Sequence, residues 1–422
     1  MKRRRGQRSP PKSASGLDPS QWATAGVCVF VLGFAAPIPS QIPLAALVVF
    51  ALVAAFRGST PRPVGVPRLY LAAITGYLAL TGLSILLSED HSRSLELSAS
   101  WIPGVLLFVV LSDRLRTAQQ LRAVYASFSV VSLGLGLALL VGRWAYGAGA
   151  HDWLPGLGFP VLVVPNDCHL LALLTPFSLV LAERRPRSAL GFLAMASIVV
   201  STGAILALGS RGGALSLIAC LALTGAFLRP RLGVVLGGAS LLAMAVGDAA
   251  LGFPLLSKFT HVVDTRISLW ILAWEMFLDA PWLGHGPHTY RLLYTAYLES
   301  ITFPDWVRPD PWGTAVPWAH NLYLELLAER GIIGFLSFFS VIGTAFVYLA
   351  RALRRKDPEL AALAAGCGGA LLGFLLSGVF EASLLRIWAV VLLFSLWGIV
   401  AQLAVLSAEA DAGRSEEALE KR

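Results

Sequence analysis

The stretch 318-WAHNLYLELLAERGIIGFLSFFSVIGTAFVYLARALRR-355 decides how the rest of the chain is read. From Gly331 to Ala350 it runs for twenty residues without a charge. An α-helix rises 1.5 Å per residue, so such a run crosses the roughly 30 Å hydrocarbon core of a bilayer. Arg351, Arg354 and Arg355 close one end. The other end carries His320, Glu325, Glu329 and Arg330, charges that are costly in lipid. The pattern predicts one helix that crosses a membrane and continues above it. Glu325 and Glu329, four residues apart, then share a face. His320 stands at the start of the extension, outside the hydrocarbon.

Similar runs recur along the chain. Of its 422 residues, 56% are hydrophobic and 14% charged, with a mean hydropathy of +0.70. Soluble domains carry roughly 25% charged residues, so this chain cannot cover a water-facing surface of its size. The composition predicts an all-α polytopic membrane protein of about 12 transmembrane helices, at 22–38, 42–56, 69–87, 97–112, 121–142, 158–182, 189–209, 212–228, 232–250, 331–350, 359–380 and 386–406. The net charge of +8 does not point to nucleic acid, because the basic residues lie in short loops at span ends. Cys28, Cys168, Cys220 and Cys367 all fall in apolar segments without metal-ligand spacing, which reads as small buried side chains. No acidic cluster suggests a metal site, and nothing in the sequence calls for a cofactor.

Charge sets the orientation. Loops on one side of the predicted spans hold 24 of the 33 Lys and Arg, in strict alternation with loops that hold the other nine. By the positive-inside rule both termini are cytoplasmic. The basic start of the chain resembles a signal peptide, but Pro37 after Ala35-Ala36 argues for an uncleaved first span. The organisation is a basic tail over 1–20, spans over 21–250, an outward-facing segment with interfacial helices over 251–330, spans over 331–407, and a second tail over 408–422. Both tails read as disordered.

The outward segment 251–330 carries the candidate chemistry. Residues 266-RISLWILAWEMFLDAP-281 are too short and too charged to span, which predicts a helix lying in the outer interface. Six of the twelve tryptophans, Trp270, Trp274, Trp282, Trp306, Trp312 and Trp318, lie between 266 and 320. They suit a headgroup belt; Trp306, Trp312 and Trp318, in a proline-stiffened loop, also suit stacking on a sugar ring. Arg211 sits in the tight outer turn 207-ALGSRGGALSL-217, and Arg266 heads the apolar helix. A guanidinium beside unpaired helix N–H groups makes an anion site; a snorkelling interfacial arginine is the plainer alternative. Asn166 and Asp167 follow Pro165 inside the sixth span, where a carboxylate needs a watery cavity or an arginine. Arg143, Glu381 and Arg386 also lie at outer span ends, the last two close enough in sequence to pair across their turn.

Three pieces together resemble the O-antigen ligase and polymerase family of bacterial surface-polysaccharide enzymes. They are Ser210-Arg211-Gly212; the spaced set Arg266, Trp270, Ala273, Pro281, Gly284 and Gly286; and the run from His320-Asn321 to Gly334 with Glu325 and Glu329 inside it. The resemblance covers about 205–350. It implies a GT-C-like fold and transfer of a glycan from an undecaprenyl-pyrophosphate carrier to an acceptor hydroxyl, in the periplasm of the inner membrane and without a metal. It also implies that Arg211 and Arg266 grip the pyrophosphate and that His320 is the general base. Asn166, Asp167, Arg143, Trp318, Asn321 and Glu325 are candidate substrate-binding residues whose roles the family does not settle. The implied partners are the lipid-linked donor, a lipid A–core or growing-glycan acceptor, and membrane lipids.

The physics is consistent with that resemblance. Paired arginines can balance a departing pyrophosphate, and an imidazole with an ordinary pKa near 6.5 suits proton removal at neutral pH. Ligase and polymerase share this chemistry; the compact external segment leans toward ligase. A lipid-linked glycan transporter would instead place polar groups through the midplane, whereas here they gather at the outer face. The orientation has a direct test. Alkaline phosphatase, active only outside the cytoplasm, is expected to be active when fused after residue 300 and inactive when fused after residue 187; the reverse pattern would overturn it.

Overall fold

The computed structural model describes residues 18–34, 41–56, 65–146, 164–251, 263–307, 318–381 and 383–420. Among these residues the chain is helical, without strands. The helices are α1 (Pro19–Phe34), α2 (Gln41–Phe56), α3 (Arg68–Leu86), α4 (His91–Ser98), α5 (Ile102–Arg114), α6 (Ala118–Tyr146), α7 (Val164–Arg184), α8 (Ala189–Leu208), α9 (Arg211–Leu228), α10 (Pro230–Leu251), α11 (Val263–Asp279), α12 (Tyr290–Ser300), α13 (Leu322–Leu353), α14 (Pro358–Gly378) and α15 (Ile387–Glu420). Each of the twelve apolar runs falls on helix over most of its described residues. Nine helices among these residues are long and apolar enough to cross a membrane. Helices α1 and α2 have 16 residues each, and α7 carries Asp167 and His169 near its start.

Helix α15 is the pole of the bundle. It is apolar all round, and its hydrophobic stretch is wholly buried, as a helix without a polar face requires. Helices α5, α13 and α14 pack on it, and α14 in turn packs on α7 and α9. The exposed residues of α10, among them Val234, Val235, Leu241 and Leu242, form an apolar outer face of the kind that suits lipid.

Above the bundle lies a small helical cap. Leu269, Leu272, Ala273 and Met276 line one face of α11 and form a satellite core with Tyr290, Tyr294, Ala319 and Ala328. The apolar helix predicted to lie in the interface thus covers one face with protein, while Trp274, Leu278 and Trp282 stay exposed.

Two expectations are corrected. The helix that opens with Leu322 is not continuous into the span. Gly331 has φ 59° and ψ −172°, a region open essentially to glycine alone, and it splits α13 into a buried outer turn and the crossing proper. The sequence hid this because Leu, Ala, Glu and Arg around Gly331 are good helix formers. The freed backbone groups find partners in the loop after α11. Ile332 N–H donates to Pro281 O at 2.8 Å and Ile333 N–H to Trp282 O at 3.2 Å, while His285 N–H donates to Ala328 O at 3.1 Å and Gly286 N–H to Glu329 O at 2.9 Å. The second correction concerns 408–422, predicted as a disordered tail: α15 runs on to Glu420. Its Ala and Glu content favours helix, and the helix before it spares those residues the cost of a new nucleus.

A Cβ added at Gly331 would lie 2.4 Å from Trp282 C and O. Gly331→Ala is therefore expected to lose at least about 2 kcal/mol from strain and collision, seen as a lower melting temperature in detergent. An unchanged melting temperature would show that the break is not required.

Candidate active site

The cap and the outer ends of the bundle bring separate segments together. His320 lies just before α13, with φ +52°. The next residue, Asn321, is the N-cap: its Oδ1 accepts from Tyr323 N–H and Leu324 N–H at 3.0 and 3.1 Å. That bonding assigns Asn321 a helix-starting role and fixes the backbone that carries His320. His320 Nδ1 lies 3.0 Å from Glu381 Oε2. A carboxylate only accepts, so Nδ1 carries the proton, and the neutral ring presents Nε2 as its basic atom.

Glu381 sits in the turn after α14 and is buried. Arg266, in the first turns of α11, donates to it through Nη2 at 3.2 Å and through Nη1 to Phe380 O at 2.7 Å. Burial pushes the Glu381 carboxyl up, but the His320 hydrogen bond and the charges of His320, Arg266 and His169 outweigh it, leaving the group below its ordinary range. Arg211 opens α9 behind Ser210, whose Oγ accepts from Gly213 N–H at 3.2 Å. Burial, and then the like charge of Arg266, weaken the hold of Arg211 on its proton. The guanidiniums of Arg211 and Arg266 are therefore electrostatic neighbours, and His320 reaches Arg266 through Glu381.

The turn at Arg211 is pressed against α7. A Cβ on Gly212 would meet His169 Nε2 at 2.6 Å. His169 is buried, with Nδ1 2.9 Å from Ser377 Oγ and 3.2 Å from Ser216 Oγ. The sequence reading passed over His169; a histidine beside Asn-Asp in an apolar span was the available signal. Asp167 is fully buried, and neither carboxylate oxygen has a hydrogen-bond partner among the described residues. Its charged neighbour is Arg386. Asn166 lies in the first turn of α7, and its side chain is outside the described residues, as is Trp312.

Arg386 does not pair with Glu381 across their turn. Its guanidinium lies over the Trp318 ring, 4.1 Å from the centroid, and Trp318 in turn lies 5.0 Å from the His320 ring. Trp318 is only 8% exposed. Arg143, at the end of α6, donates its Nε–H to Ala207 O at 3.4 Å, at the end of α8 just before the turn that carries Arg211.

A second polar cluster lies beneath the cap. Glu325 Oε1 accepts from Ser383 Oγ at 2.7 Å, and Glu329 Oε1 from Tyr290 N–H at 3.3 Å. Arg330 is 2% exposed. It stands 5.1 Å over the Trp101 ring, and no nitrogen of its guanidinium has a hydrogen-bond partner among the described residues.

With this geometry in view, comparison with known proteins places part of the chain. Residues 196–339 match the O-antigen ligase family. The match covers about a third of the chain and takes in Arg211, Arg266 and His320, in agreement with the motifs that first suggested it. Glu381, Arg386 and Asp167 lie outside it. No curated protein matches the chain.

Burial, then the neighbouring Glu329, pushes the Glu325 carboxyl up to about 8. Between the ordinary carboxyl range and that value Glu325 keeps its proton in the folded protein and has lost it in the unfolded chain. The stability that this group contributes therefore falls as pH rises through the window and levels off above it. Glu325→Gln, which keeps an acceptor for Ser383, removes that contribution and is expected to raise the slope of melting temperature against pH between pH 5 and pH 8 relative to the wild type. An unaltered slope in the variant would refute the assignment.

Proposed function

We propose that the chain is an O-antigen ligase, a glycosyltransferase of the bacterial inner membrane with twelve crossings, a GT-C-like arrangement and both termini in the cytoplasm. Its donor is a glycan on undecaprenyl pyrophosphate and its acceptor a hydroxyl of lipid A–core. The supporting observation is that Arg266 and His320, from separate segments, share the buried Glu381, while Arg211, from a third segment, is an electrostatic neighbour of Arg266. A cationic pair beside an oriented imidazole suits displacement of a diphosphate by a hydroxyl.

The acceptor oxygen attacks the anomeric carbon while its proton passes to His320 Nε2. The bond from that carbon to the diphosphate oxygen breaks, and the electron pair leaves with the lipid diphosphate. Arg211 and Arg266 stabilise the charge that develops there; Arg266 has N–H donors beyond the two that it gives to Phe380 and Glu381. A positioned base of this kind typically contributes about 10²–10⁴-fold in rate.

The lipopolysaccharide ladder of a deletion strain tests the reaction. Loss of all long glycan from the core supports the ligase. A single repeat unit left on the core would mean polymerase instead, and an unchanged ladder would exclude both. In a purified assay His320→Ala is expected to lose transfer by about 10²-fold or more with its fold retained; full transfer would remove the base.

A further inference from the structure

The donor assignment leaves a charge deficit at the site. Glu381 already offsets one of the two cations, Arg211 and Arg266. Both Nη atoms of Arg266 are also bonded to the protein, to Phe380 O and Glu381. A lipid diphosphate that loses its glycan gains a further negative charge, so the product needs more compensation than the bound donor does.

Arg386 is placed to supply it. The residue lies between the turn that carries Glu381 and the start of α15. It is half-buried, and among the described residues no hydrogen bond or ion pair engages its guanidinium; its Nε is buried without a partner. The guanidinium carbon lies 4.1 Å over the centroid of the Trp318 indole, which at the same time neighbours the His320 ring. An arginine stacked on an aromatic face keeps its edge donors available and loses little freedom on binding. Its charged neighbours, Glu381 and Asp167, border the same region. A buried Nε–H with no protein acceptor is costly unless a ligand or water occupies it.

We infer that Arg386, held by Trp318, is a third guanidinium of the site and binds the diphosphate of the lipid carrier. This rests on the donor assignment under Proposed function. It makes Arg386 a binding residue and gives Trp318 a positioning role, in place of the sugar stacking that its sequence context also allowed.

Direct binding to the purified full chain in nanodiscs tests the inference, with undecaprenyl pyrophosphate and undecaprenyl monophosphate as the two probes. Arg386→Gln is expected to weaken pyrophosphate binding by about tenfold or more, the worth of a charge-assisted hydrogen bond. Monophosphate binding should fall by less than about threefold, the smaller share expected of a site built for two phosphates. Arg386→Lys, which keeps the charge but not the planar fork, is expected to lose pyrophosphate affinity as well. It decides the matter if the glutamine variant does not fold. Unchanged pyrophosphate affinity in a folded variant would overturn the inference while leaving the donor assignment standing. Equal loss of both lipids would also overturn it, since that pattern marks a general structural role. A wild type that binds neither lipid would remove the donor assignment and this inference together.

Discussion

The break at Gly331 is the constraint on which the outer half of the molecule depends. A helix interrupted near hydrocarbon leaves backbone donors and acceptors that water cannot reach, and they must find protein partners. Here they find Pro281, Trp282, His285 and Gly286. The loop after α11 is thereby bonded to both sides of the break in α13. Arg266 at one end of α11 and His320 at the other end of the broken segment become parts of one rigid assembly. Gly284 shows how close the fit is: a Cβ there would lie 2.3 Å from Glu329 C.

Within that frame Glu381 organises the charges. It is a buried anion shared by a histidine and an arginine from two different elements. A buried carboxylate with a hydrogen bond and cationic neighbours remains ionised despite its desolvation. An ionised Glu381 in turn fixes the tautomer of His320 and the aim of Arg266. In the proposed reaction Glu381 is the orienter that ties the base to the anion-binding side.

Much of the fold was legible because lipid imposes simple rules. The apolar runs fall on helices; Arg211 stood out because loops on its side of the predicted spans otherwise avoid positive charge, Arg266 because it heads an apolar helix, and His320 because it opens the extension of a predicted span. What failed was partner choice. Glu381 and Arg386 are five residues apart and invite pairing, yet burial gives Glu381 to segments 61 and 115 residues away. No local pattern encodes that choice. The break at Gly331 was hidden for a related reason. Local propensity favours helix through Arg330, and only the glycines of a distant loop, Gly284 and Gly286, hint that something must fit against it. Residues 408–420 erred the other way: their charge content looked like a solvated tail, but a preceding helix template overrode composition.

The burial of α15 bears on how the molecule is made. Chains grow from the N-terminus, so α1 to α14 leave the ribosome before the helix on which α5, α13 and α14 pack. Those earlier helices enter the bilayer with faces destined for a neighbour that does not yet exist, and lipid must cover them meanwhile. Closure of the bundle around α15, and with it the turn that carries Glu381 and Arg386, waits for that helix to insert.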